Sequence, residues 1–104
     1  MTQENIMKIL NDAWEMEGGF FYEVRNRKFD LKKGTKLHHS LKSFELNVKS
    51  TIDRNLVRLL WYIPIYLEYQ KDILKSVLIE EEYLDYIKLA NGIQEEIERL
   101  LGYP

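Results

Sequence analysis

Three consecutive residues, His38, His39 and Ser40, carry the side chains best suited to metal ligation or proton transfer in this chain. A metal site needs donors that converge on one ion, whereas neighbours on a helix point about 100° apart. There is no cysteine to join the histidines, and the nearest carboxylates in sequence, Asp30 and Glu45, stand at no recognised ligand spacing. No metal and no cofactor is expected. Nucleophilic catalysis asks for a hydroxyl beside a base that a third group orients. Ser40 and Ser43 lie near the histidines, but no glycine-rich nucleophile turn accompanies them. Carboxylates are plentiful, yet acid–base work needs one of them buried with a displaced pKa, which a Glu-rich helix does not demand. Gly18, Gly19 and Gly34 form neither a phosphate-binding loop nor a dinucleotide fingerprint. The chain reads as a non-enzyme.

Charge is more informative. Arg25, Arg27, Lys28, Lys32, Lys33, Lys36 and Lys42 face only Asp30 in residues 25–42, a local net of +6. Glu80, Glu81, Glu82, Asp85, Glu95, Glu96 and Glu98 face only Lys88 in residues 80–98, a local net of −6. The blocks either attract each other within the fold or present opposite patches to solvent. The basic block, with Tyr22 and Phe29 nearby, has the makings of a phosphate-contacting surface with a stacking ring. An overall formal charge of −2 argues against it as a dominant activity.

The segment LLWYIPIYLEYQ, residues 59–70, supplies the third candidate surface. On a helix Tyr62, Tyr66 and Tyr69 fall at steps of four and three and share a side, next to a stripe of Leu56, Leu60, Ile63 and Leu67. Two accounts stand. The tyrosines are covered by neighbouring helices, or part of their line is a docking surface, for which tyrosine gives contact area at modest entropy cost. Tyr83 and Tyr86, three apart on the acidic block, extend the second account to Glu80, Glu81, Glu82 and Asp85, a mixed aromatic and acidic surface suited to a basic protein.

The elements that must carry these surfaces are mostly helical. Thr2 is placed to cap a helix in which Ile6, Ile9, Leu10, Ala13 and Trp14 recur at helical spacing, ended by Gly18 and Gly19. Residues 20–31 are ambiguous: Phe20, Tyr22 and Val24 alternate as in a strand, and Asn26 and Arg27 would turn a hairpin, while a short helix or irregular segment is the favoured reading. Gly34 is expected to break the chain, with Thr35 capping a helix that bears Leu37, Leu41, Phe44 and Val48. Thr51 or Asp53 starts the central helix, and Asp53 as cap buries Leu56, Leu59, Leu60 and Ile63. Pro64 interrupts it: either the helix kinks there, or a new one begins with the proline in its first turn, which needs no strain. Leu67, Ile73, Leu74 and Val77 continue the stripe to about Ile79. A last helix spans roughly residues 80–101, its inward face formed by Tyr83, Tyr86, Ile87, Ala90, Ile93, Ile97, Leu100 and Leu101, with Gly102 as C-cap and Gly92 permitting a close helix contact, a kink or a break.

The expected fold is therefore all-α, one domain over residues 1–104, with four or five helices in an irregular or antiparallel bundle; an α+β form with a hairpin near residues 20–31 is the alternative. No secretory signal is visible at Met1, and the longest apolar cluster falls well short of the roughly 20 residues needed to span a bilayer. A cytoplasmic location without membrane association follows as the expectation, and a cysteine-free chain agrees with a reducing compartment.

In size, acidity, aromatic content and lack of catalytic machinery the chain resembles small bacterial immunity proteins, which inactivate a cognate toxin domain. The resemblance is one of general character, covers no alignable motif and carries over no residue. It implies a tight complex with a basic, nuclease-like toxin whose active site is occluded by acidic and aromatic side chains. The protein is thus expected to bind another protein without catalysis. The alternatives are a nucleic-acid-binding regulator using residues 25–42 and a structural homo-oligomer.

Overall fold

The computed structural model describes residues 1–46 and 51–102, and among these residues there are five helices and no strand. Thr2 caps α1 (Gln3–Glu15), its hydroxyl accepting from the Asn5 N–H at 3.1 Å and so satisfying a donor of the first turn. Ile6, Leu10 and Ala13 recur at helical spacing and are buried. The chain then turns through Gly18, whose φ of +84° is the left-handed region that a residue without Cβ enters freely.

α2 (Phe20–Arg25) replaces the hairpin alternative. Phe20, Phe21 and Val24 are all buried, an arrangement that one helical turn satisfies and strict alternation does not. Asn26 and Arg27 close that helix instead of joining two strands. The Arg27 N–H donates to the Val24 carbonyl at 3.0 Å and the Lys28 N–H to the Glu23 carbonyl at 2.9 Å, a Schellman closure that holds Arg27 at a φ of 64°.

α3 (Leu31–Ser43) begins before the expected start. Its cap is Asp30 and not Thr35, the carboxylate accepting from the Lys33 N–H at 3.1 Å. Gly34 does not break the chain but lies buried inside α3, where a Cβ would come within 2.8 Å of the Phe20 ring and would overlap the Leu89 side chain. Close approach between helices outweighs the roughly 1 kcal/mol that glycine costs a helix relative to alanine. Leu37, Leu41 and Phe44 are buried as expected, and Val48 lies outside the described residues.

Asp53 caps α4 (Arg54–Val77), accepting from the Asn55 N–H at 2.8 Å. Gln3 fastens this start to α1: its side-chain oxygen accepts from the Asp53 N–H at 2.7 Å, and its side-chain nitrogen donates to the Thr51 carbonyl at 3.0 Å. Of the two alternatives at Pro64 the restart does not occur, and α4 continues through the proline. Packing overrides local preference here, because Leu56, Leu60, Ile63, Leu67 and Leu74 form one buried stripe across it that a break would put out of register. Leu59 is only half-buried, and Val77 and Ile79, expected to extend the stripe, are exposed.

α5 (Glu80–Leu101) has the expected extent, with Glu80, Glu81 and Glu82 in its first turn, where they complement the exposed amides, and Gly102 as C-cap. Leu89 joins the core, whereas Leu101 is exposed. Gly92 marks a close helix contact, since a Cβ there would lie 2.6 Å from Cε1 of His38 on α3. α3 and α4 both pack along α5, and α1 packs against α2, α3 and α4. Buried side chains of all five helices meet in one hydrophobic cluster.

Arg99 completes the α3–α5 contact. Its guanidinium donates to the carbonyls of Leu41, Lys42 and Phe44 at 3.1, 3.3 and 3.0 Å, covering the open C-terminal end of α3. The same group pairs with Glu96 at 3.0 Å and Glu45 at 3.4 Å.

Candidate functional site

The tyrosine line of α4 divides. Tyr66 is buried, its hydroxyl donating to the Phe21 carbonyl at 2.8 Å and its ring meeting Trp14 edge-on at 4.7 Å. Burial disfavours the phenolate and pushes its pKa up to about 12, with the Arg25 charge opposing and Tyr62 adding to the shift. Tyr86 is also buried, and its hydroxyl donates to the Leu67 carbonyl at 2.7 Å. Burial raises its pKa too, reinforced by Tyr66, Glu68 and Tyr83. These two residues are corrections to the expected docking surface. Each lies close enough to the core stripe of its helix for the ring to turn inward, and each hydroxyl finds a backbone acceptor on another helix.

Tyr62 and Tyr69 remain exposed. They share the outer side of α4 with two residues that the sequence reading passed over, Trp61 and Ile65, both about half exposed. The signal for them was present: residues 61, 65 and 69 recur at steps of four, opposite the Leu56, Leu60, Ile63 and Leu67 stripe.

A second surface surrounds the start of α5. Glu80, Glu81 and Glu82 are exposed, Asp85 and Tyr83 are half-buried, and the Lys75 ammonium lies 6.0 Å from the Tyr83 ring centre. Beside the acids Ile79 is 64% exposed and Leu84 is 58% exposed. Leu84 follows Glu80 by four residues and Glu81 by three, so these side chains are helical neighbours. The corner between α4 and α5 is thus apolar at its tip and acidic around it.

The basic residues are less uniform than their sequence block. The Lys33 ammonium is tied at the surface to the Gly18 carbonyl at 2.7 Å and to Glu23 at 2.9 Å. Arg25 lies over the Tyr22 ring at 5.1 Å, and Arg27, Lys28, Lys32 and Lys36 are exposed. The His38 ring packs against Gly92, and the Ser40 hydroxyl donates to the Lys36 carbonyl at 3.1 Å. Among the described residues no three His, Asp or Glu side chains gather as a metal-ligand set. No helix among them is long and apolar enough to cross a membrane. Compared with family models, curated proteins and solved structures, the chain matches none of them.

Proposed function

We propose that this chain is a non-catalytic protein-binding protein that engages a basic partner through the acidic corner formed by Glu80, Glu81, Glu82, Tyr83 and Asp85. The observation that carries this reading is the exposure of Ile79 and Leu84 among those carboxylates. An apolar tip supplies contact area that desolvates on binding, while the surrounding charge steers a cationic surface toward it. In its immunity-protein form the partner is a basic, nuclease-like toxin domain, and the corner occludes its active site. That form rests on general character and not on any shared motif.

The test is calorimetric titration of the full chain with basic toxin domains encoded by neighbouring genes. Binding should weaken on reversing Glu80, Glu81 and Glu82 to lysine and on raising salt. Binding to none of these neighbours overturns the immunity form. Titration with duplex and single-stranded probes at two salt concentrations separates the nucleic-acid alternative, which requires steep weakening with salt.

A further inference from the structure

The outer side of α4 carries a charge pattern that changes sign about its centre, so that the helix reversed is the complement of itself. At 3.6 residues per turn, Arg58, Trp61, Tyr62, Ile65, Tyr69 and Asp72 return to one side, opposite the buried leucines, and all six are exposed. Ile65 stands at the middle. Trp61 and Tyr69 lie four residues before and after it, and Arg58 and Asp72 lie seven residues before and after it. The side is therefore cationic at one end, aromatic and aliphatic in the middle, and anionic at the other end. Among the described residues neither Arg58 nor Asp72 has an ion-pair partner.

We infer that this face pairs with the same face of a second copy of the chain, the two α4 helices running antiparallel with Ile65 on the two-fold axis. In that register Arg58 of each copy meets Asp72 of the other, and Trp61 of each packs on Tyr69 of the other. A two-fold contact must be self-complementary, and a surface whose charge changes sign about its centre meets that condition. A different partner would need an apolar centre with the opposite order of charges, which is what this segment itself supplies when reversed. A crossing angle of about 20° keeps the charged ends within side-chain reach over the roughly 20 Å between Arg58 and Asp72 along one helix. Trp61 at 51%, Ile65 at 52% and Tyr69 at 72% exposure provide the apolar area. Tryptophan, tyrosine and arginine are the residue types enriched where binding energy concentrates. This surface is separate from the acidic corner, so the proposal does not depend on the binding of a basic partner.

Sedimentation equilibrium of the full chain, up to millimolar concentration, should show a monomer–dimer equilibrium, and Ile65→Glu should abolish it while leaving the circular dichroism spectrum unchanged. Arg58→Asp and Asp72→Arg should each weaken dimerisation at least about tenfold by setting like charges opposite each other. The double variant R58D/D72R should restore it. Pairing within one chain cannot produce that rescue, because the two positions lie too far apart along a single helix. The chain has no cysteine of its own, so Ile65→Cys should give a disulfide-linked dimer on mild oxidation, whereas Arg58→Cys should not. A chain that stays monomeric throughout, a double variant without rescue, or cross-linking at position 58 equal to that at position 65 overturns the proposal, whether or not the chain binds a different protein.

Discussion

Gly34 and Leu89 are in contact so close that the glycine has no room for a Cβ: the leucine side chain of α5 occupies the place where it would stand. Phe20 closes the same position from α2. The crossing of α3 on α5 is therefore set by one hydrogen atom in place of a methyl group.

Gly34→Ala should lower stability by about 1–3 kcal/mol, overpacking outweighing the gain in helix propensity. Leu89→Ala alone should cost about 2–5 kcal/mol. The double variant should cost less than the sum, since truncating Leu89 makes space for the new methyl. Urea unfolding of the four proteins measures the cycle, and strict additivity would show that the two positions do not share the space.

Pro64 lies within α4 and offers no N–H to the Leu60 carbonyl four residues earlier. Pro64→Ala supplies that donor and removes the ring clash, so midpoints of unfolding should rise by the equivalent of about 1–3 kcal/mol. An unchanged midpoint would mean that the helix already accommodates the ring without loss.

Tyr66 predicts alkaline sensitivity. Its phenol ionises near 10.0 when exposed and at about 12 in the fold, so between those values the unfolded chain has lost a proton that the native chain retains. The native state is then the more protonated one, and stability falls as pH rises. The contribution is complete below about pH 10 and is lost as pH climbs through about 12. Thermal melts at stepped pH with phenolate absorbance as a second signal should show this decline. Tyr66→Phe should lessen it, leaving the part contributed by the buried Tyr86 phenol, while losing the hydrogen bond to the Phe21 carbonyl.

Arg99→Ala should destabilise by about 1–3 kcal/mol, because three carbonyls at the end of α3 lose a shared donor group. Arg99→Lys should recover only part of this, its ammonium lacking the planar fork that reaches several acceptors at once. Amide exchange should rise first near residues 41–44 in both variants.

Elements with a cap and an uninterrupted apolar period could be read directly from the chain. Thr2 and Asp53 announced their helices because capping is local chemistry, and the Glu-rich start of α5 did so through its charge beside the exposed amides. What could not be read was decided by contacts distant in sequence. Gly34 looked like a break until Leu89 and Phe20 required its small size, and Pro64 allowed either a bend or a new start until the leucine stripe held the helix together. The same cause divided the tyrosines: periodicity grouped residues 62, 66 and 69, but the neighbouring α1 and α2 helices determined that only Tyr66 turned inward. Trp61 and Ile65 were obscured because an apolar run gives equal weight to both sides of its helix until the core side is known.

Arg99 also bears on the order in which the fold assembles. Its bonds to Leu41, Lys42 and Phe44 join positions 55 to 58 residues apart. Local pairing within residues 31–44 cannot supply them, so the end of α3 stays exposed to water until α5 has docked. Closing a span of that length carries an entropic cost that the contacts within α3 do not. The end of α3 should accordingly be among the last parts of the bundle to gain protection during refolding, and among the first to lose it when α5 detaches.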